Sequence, residues 1–272
     1  MFFQSNNDKL FYHIEGDGYP VLILHAMGTD HHAMKKWIEP IFAAKEGFQR
    51  IYVDLPWHGQ SVCKGIKSSE EVRELLFTFI MKVVGTKQFS CIGHSFGGYI
   101  AQGLVCPQLS GLCLLAPAVH KKNRNVPEKA VYGREDISLA KVEPEVRTAF
   151  ETLMVYQSSG NLQTFLEEVQ PGRLLADIEF LTSSWRDSGY FFNKSPLAEQ
   201  YTGTSLIIAG KLDSICGYKD YYELIECMPN STFVLLQAGH LLHIEKRNSV
   251  QFLIREWVNS LEGSDDPNVT AC

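Results

Sequence analysis

Short runs of uninterrupted apolar residues recur along this chain and constrain its fold more than any other feature. Val21-Leu22-Ile23-Leu24 follows the turn cluster Gly16-Asp17-Gly18-Tyr19-Pro20, and similar runs lie at 51–53, 89–92, 112–115, 206–209 and 233–236. Strict alternation would suit a sheet with one wet face. Continuous hydrophobicity suits strands buried on both faces, hence a mostly parallel sheet covered by helices. Residues 1–4 and 10–15 are expected to add an antiparallel edge. Between the runs, a helix is expected from Ser68, where Ser68-x-x-Glu71 has capping-box form, to about Val84, with Gly85 as its stop. Further helices fit 96–106, 217–227 and 246–261, the last with Phe252, Leu253 and Trp257 at helical spacing. A chain of 272 residues can bury one sizeable α/β core with room for an insertion.

One of these runs leads into Gly93-His94-Ser95-Phe96-Gly97, of the form G-x-S-x-G, and a helix-compatible segment follows. Strand, sharp turn, helix is the context in which this pentapeptide exposes a nucleophilic serine. A serine at so tight a tip is expected at positive φ, and side chains at 93 and 97 would collide with the sheet and turn.

A serine hydroxyl needs a base to accept its proton, usually a histidine held by a carboxylate. His240, in Gln237-Ala238-Gly239-His240, lies just past the run 233–236, and Asp213, in Gly210-Lys211-Leu212-Asp213, just past 206–209. Catalytic groups collect at that edge of an open parallel sheet. Ser95, Asp213 and His240 are therefore the predicted nucleophile, orienting acid and base. Asp220 and His243 are the weaker rivals. The backbone N–H of Phe96 is the predicted first oxyanion donor. The second is assigned to Met27, with Ala26 as the fallback, in the loop His25-Ala26-Met27-Gly28. His25 is read as a brace for that loop. His31-His32 lacks metal-site spacing and is read as surface or pocket lining. Ala26, Trp57, His94, Trp185 and Leu241 are the predicted substrate contacts.

Mixed charge with a net −6 leaves no footprint for nucleic acid or an anionic membrane. The first residues turn polar at once, so no signal-peptide hydrophobic region is expected, and no apolar run approaches a bilayer span. Seven cysteines without paired spacing suit a reducing compartment. The expectation is a cytoplasmic enzyme, monomer or homodimer, with a small-molecule substrate and neither metal nor cofactor.

Residues 119–200 break the strand–helix alternation. They open with Lys121-Lys122-Asn123-Arg124, read as solvated surface, and continue with amphipathic stretches around Phe150 and Phe165 and then Trp185 and Tyr190-Phe191-Phe192. The expected organisation is a core at 1–118, a helical insertion at 119–200, the rest of the core at 201–262 and a disordered polar tail at 263–272.

The chain resembles the α/β-hydrolase superfamily over roughly 1–262. The likeness is carried by His25-Ala26-Met27-Gly28, the D-x-P-x-H-G-x-S turn at 54–61, Gly93 to Gly98, Gly210-x-x-Asp213 and Gly239-His240. It implies an eight-stranded, mostly parallel sheet flanked by helices, with a helical cap inserted after strand six. Ala26 and Trp57 stand where glycine is usual. A nucleophilic Ser95 sets the chain apart from haloalkane dehalogenases and epoxide hydrolases, and Leu241 from carbon–carbon bond hydrolases. The version Gly93-His94-Ser95-Phe96-Gly97-Gly98 looks most like carboxylesterases and lactonases. The expected activity is hydrolysis of a small, partly apolar ester, thioester or lactone. The alternatives are a small-molecule receptor on the same fold, or a lyase or perhydrolase using the same three residues.

Overall fold

The computed structural model describes residues 1–133, 139–197 and 200–262. The tail at 263–272 lies outside them. An eight-stranded sheet runs in the order β1-β2-β4-β3-β5-β6-β7-β8. Its strands are β1 (Phe2–Ser5), β2 (Asp8–Glu15), β3 (Tyr19–Leu24), β4 (Phe48–Val53), β5 (Phe89–His94), β6 (Leu109–Leu115), β7 (Thr204–Gly210) and β8 (Ser231–Leu236). β1 and β2 form the expected antiparallel edge, and every pairing from β4 to β8 is parallel.

Alternate residues of the inner strands feed two apolar layers, as the two-residue repeat of a strand demands. Leu22, Leu24, Cys91, Leu112 and Leu114 pack with α2 (Ser69–Val83) and α3 (Phe96–Gln102). Val21, Ile23, Ile92, Cys113 and Leu115 pack with α1 (His31–Phe42) and the C-terminal helix. Both faces are dry, which is why the runs read as continuous. The Ser68 hydroxyl accepts the Glu71 N–H at the head of α2 (3.2 Å), and Gly85 ends the helix region at φ +74°.

Among the described residues five α-helices lie between β6 and β7: α4 (Pro144–Leu153), α5 (Ser159–Glu168), α6 (Gln170–Arg173), α7 (Ile178–Thr182) and α8 (Trp185–Ser188). Phe150, Met154, Phe165 and Val169 pack there with Leu241 and Ile244 in a third apolar cluster. α9 (Tyr221–Glu226), α10 (Leu242–Glu245) and α11 (Arg247–Glu262) are the last helices among the described residues.

The helix α1 has no counterpart in the sequence reading. Paired histidines at its start and Pro40 in its interior obscure its periodicity. Asp30 caps it by accepting the His32 N–H (3.0 Å). His31 is buried on Asp54 and His32 is exposed.

Candidate active site

Ser95 sits between β5 and α3 at φ +52°, a left-handed conformation that costs a non-glycine residue about 1–3 kcal/mol. Three backbone hydrogen bonds hold it: Ser95 N–H to Leu115 O (2.9 Å), and the N–H groups of Tyr99 and Ala118 to Ser95 O (3.0 Å each). The flanking glycines allow the close approach. A Cβ on Gly97 would lie 2.4 Å from Leu24 O, and one on Gly93 2.6 Å from Gly97 O.

The loops after β7 and β8 meet Ser95 from the other side. The Leu212 N–H donates to Ala238 O (2.9 Å), tying the two loops together. His240 Nε2 lies 2.8 Å from Ser95 Oγ, and His240 Nδ1 lies 2.8 Å from Asp213 Oδ2. A carboxylate only accepts, so Nδ1 carries the proton and Nε2 faces the serine hydroxyl as an acceptor. Asp213 is fully buried, and its Oδ1 accepts the Ile215 and Cys216 N–H groups (2.8 and 2.9 Å). All three side chains named from the sequence thus form one hydrogen-bonded chain. Asp220 lies elsewhere, pairing with Lys121 (2.9 Å) and accepting the Asn125 N–H (2.7 Å). His243 is buried and stacked on Trp37, with no hydrogen-bond partner for either ring nitrogen among the described residues.

The loop after β3 is held by two buried imidazoles. His25 Nδ1 donates to Ala26 O (2.8 Å) and its Nε2 accepts the Leu55 N–H (2.9 Å). His58 Nδ1 donates to Pro56 O (2.8 Å) and its Nε2 accepts the Gly28 N–H (2.8 Å). Both must be neutral to accept. Burial pushes His25 below its ordinary pKa and His58 down to about 3. Among the described residues, neither the Met27 nor the Phe96 N–H has a protein acceptor.

A cavity of about 290 Å³ opens over this chain. Ala26, Met27, Ser95, Phe96, His240 and Leu241 line it, as the sequence predicts. Three predicted contacts do not. Trp57, at φ +71°, donates Nε1–H to Ile66 O (3.2 Å) and stacks on Phe180 and Trp185. Trp185 packs between Trp57, Phe96 and Tyr190. Both rings join turn 54–61 to α7 and α8 rather than face the cavity. His94 is buried under His240, donating to its carbonyl (3.2 Å); burial drives its pKa down to about 3, and nearby His240 reinforces the shift. Arg124, read as solvated surface, instead lines the cavity with Thr29, Arg173, Arg186, Tyr190 and Ile215. No sequence signal marked Arg173 or Arg186, because each stands alone in an amphipathic stretch whose orientation only packing decides.

The family model described as alpha/beta hydrolase family matches residues 21–250. The chain belongs to that family. Among the hydrolase's relatives are 2-succinyl-6-hydroxy-2,4-cyclohexadiene-1-carboxylate synthases of Escherichia coli, 31% identical over 121 residues. That match spans 44% of this chain and 46% of the synthase, so the hydrolase spans less than half the length of these curated relatives. An alpha/beta superfamily hydrolase from Oenococcus oeni PSU-1 superposes with a TM-score of 0.85 at 27% identity, over 96% of this chain and 99% of that one. The enol-lactonase from Burkholderia xenovorans LB400 shares the fold, with a TM-score of 0.72 at 15% identity, over 95% and 100%.

Asp30, His31 and His32 gather ligand-type atoms within 4.8 Å of one another. His31 is hydrogen-bonded to Asp54 and His32 to Asp30, so neighbouring carboxylates account for both rings. Among the described residues no helix is long and apolar enough to cross a membrane.

Proposed function

We propose that this hydrolase cleaves a small carboxylic ester, thioester or lactone through Ser95, His240 and Asp213. The observation that carries the reading is the unbroken chain Asp213–His240–Ser95, with both contacts at 2.8 Å, at the floor of a cavity. Ser95 Oγ attacks the acyl carbon as His240 Nε2 takes its proton. Asp213 keeps the imidazole in the tautomer that can do so and stabilises the imidazolium. The Phe96 and Met27 N–H groups receive the developing oxyanion, each such donor contributing about 10²–10³ in rate. The C–O or C–S bond then breaks, and His240 returns the proton to the leaving group. Water, deprotonated by His240, attacks the acyl-enzyme and releases the acid and free Ser95. Residues 119–200 serve as a cap that completes the substrate cavity.

A fluorophosphonate probe should label Ser95, and Ser95→Ala and His240→Ala should each abolish p-nitrophenyl acetate turnover. Undiminished turnover in Ser95→Ala would overturn the assignment.

A second reading is a lyase using the same residues, with His240 moving the proton; relatives named as synthases of a cyclohexadiene carboxylate favour it. A burst of acyl-enzyme in rapid mixing separates the two, since only the hydrolytic route accumulates that species.

A further inference from the structure

The cavity over Ser95 carries the opposite charge to the chain. The net charge is −6, yet Arg124, Arg173 and Arg186 line the cavity, and among the described residues no aspartate or glutamate does. Asp213, below it, has both oxygens committed to His240 and to the Ile215 and Cys216 N–H groups.

The three guanidinium groups are bound to neutral partners. Arg124 donates to Ile215 O (3.1 Å), Cys216 Sγ (3.6 Å) and Tyr190 Oη (3.0 Å). Arg173 donates to Gln170 Oε1 (3.2 Å). Arg186 donates to Leu181 O (3.1 Å) and contacts Met27 Sδ (3.3 Å). Elsewhere Arg50, Arg73, Arg147 and Arg247 each pair with a glutamate, while Arg255 is exposed and has no ion pair among the described residues. Among the described residues no carboxylate forms an ion pair with Arg124, Arg173 or Arg186. Glu145 acts on Arg173 only through space.

Their placement is two-sided. Arg186 lies against Met27, and α6, which carries Arg173, packs its Gly172 on Asp30, so both stand on the side of the loop after β3. Arg124 stands on the other side, against the loop that holds Asp213. A second cleft of about 410 Å³ shares Arg124 and Arg186 and adds Lys121 and Lys122, with Asp187 as its one acid among the described residues. Lys121 is partly neutralised by Asp220 and Glu223.

Arg124 and Arg173 are half-buried and Arg186 is exposed. Cations gathered on one cavity repel one another, and charge-assisted, bidentate carboxylate bonds turn that cost into binding energy. We infer that the substrate bears a carboxylate on each side of the scissile carbonyl, and that Arg124, Arg173 and Arg186 hold them between them. The inference rests on Ser95 as the acyl acceptor, and the bond cleaved is the one described above, so hydrolysis adds one more carboxylate to the products.

The test has two arms. In the first, folded Ser95→Ala protein is titrated calorimetrically with linear dicarboxylates from malonate to adipate and with dimethyl glutarate. The dicarboxylates should bind, more weakly as salt rises, and the diester should not. Adding Arg124→Gln, Arg173→Gln or Arg186→Gln should weaken dicarboxylate binding about tenfold or more, with Arg→Lys restoring part of it; thermal melts report which variants fold. In the second arm, acid release by the unaltered enzyme is compared for the half ester of glutaric with glycolic acid and for ethyl butyrate. The doubly charged ester should have at least a tenfold higher kcat/KM, and each Arg→Gln change should shrink that ratio. Preference for ethyl butyrate together with no dicarboxylate binding overturns the inference and leaves the serine hydrolase standing. Arginine-dependent dicarboxylate binding without turnover of any ester supports the anion site and overturns the hydrolytic reading.

Discussion

Glu245 accepts the Gly239 N–H through Oε2 at 2.6 Å, one residue before His240. Its Oε1 accepts the Val155 and Tyr156 N–H groups (2.6 and 3.0 Å), which follow α4. One carboxylate thus ties the backbone beside the proposed base to the segment between β6 and β7. Glu245→Ala should lower kcat about tenfold or more, because small misplacements of a reacting group are costly. KM should rise in the same variant as Val155 and Tyr156 are released. Glu245→Gln should fall between the two, since its amide nitrogen would face an N–H donor. Steady-state kinetics on a hydrolysed ester checks both.

Asp213→Asn should fold normally and lose about 10⁴ in kcat. Its amide oxygen can still accept the Ile215 and Cys216 N–H groups, but its NH₂ would face His240 Nδ1 and favour the tautomer with the proton on the wrong nitrogen. Circular dichroism reports the fold and the initial rate reports the loss.

His58→Ala should lower kcat by up to about 10², the order associated with one oxyanion donor. Without the imidazole nothing holds the Gly28 N–H, and Met27 beside it is free to drift. Comparing kcat with KM for a neutral ester distinguishes this from lost binding.

Gly97→Ala should destabilise the protein by about 1–3 kcal/mol or more, the usual range for overpacking, because its Cβ would meet the carbonyl oxygens of Leu24 and His25 at 2.4 and 2.5 Å. Gly160→Ala, in α5 with open space around its Cβ, should stabilise by about 0.5–1 kcal/mol. Urea midpoints measure both.

Stability should fall on acidification. Burial depresses His58 and His94 to about 3 in the fold, while the unfolded chain titrates them near 6.5. Below about pH 6.5 the unfolded state therefore binds protons that the folded state refuses. Each ring removes up to about 1.4 kcal/mol per pH unit until its folded pKa is reached. Calorimetric Tm values at pH 7, 6 and 5 should decline in steps. A Tm flat across that range would contradict these two pKa shifts.

The strands and the residues around Ser95 were legible because each is written locally. A run such as 89–92 names its own burial, and Gly93, Gly97, Asp213 and His240 stand at fixed offsets from strand ends. Helix α1 was hidden by His31-His32 and Pro40, where tertiary packing on β3 and β4 overrides weak local preference. The cavity walls were hidden for a different reason. Arg173 and Arg186 come from short helices whose direction is decided by contacts across more than a hundred residues, as with Arg186 and Met27. Trp57 misled for the opposite reason: a large ring near a catalytic turn suggests a pocket wall, yet its partners Phe180 and Trp185 lie in the segment between β6 and β7.

A cavity of about 290 Å³ holds about ten water molecules at the volume each takes in the liquid. That number sets the scale of the solvent exchanged when a ligand fills the cavity. The second cleft shares Arg124, Arg186, Tyr190 and Ile215 with it, so that solvent is continuous with the water over Lys121 and Lys122.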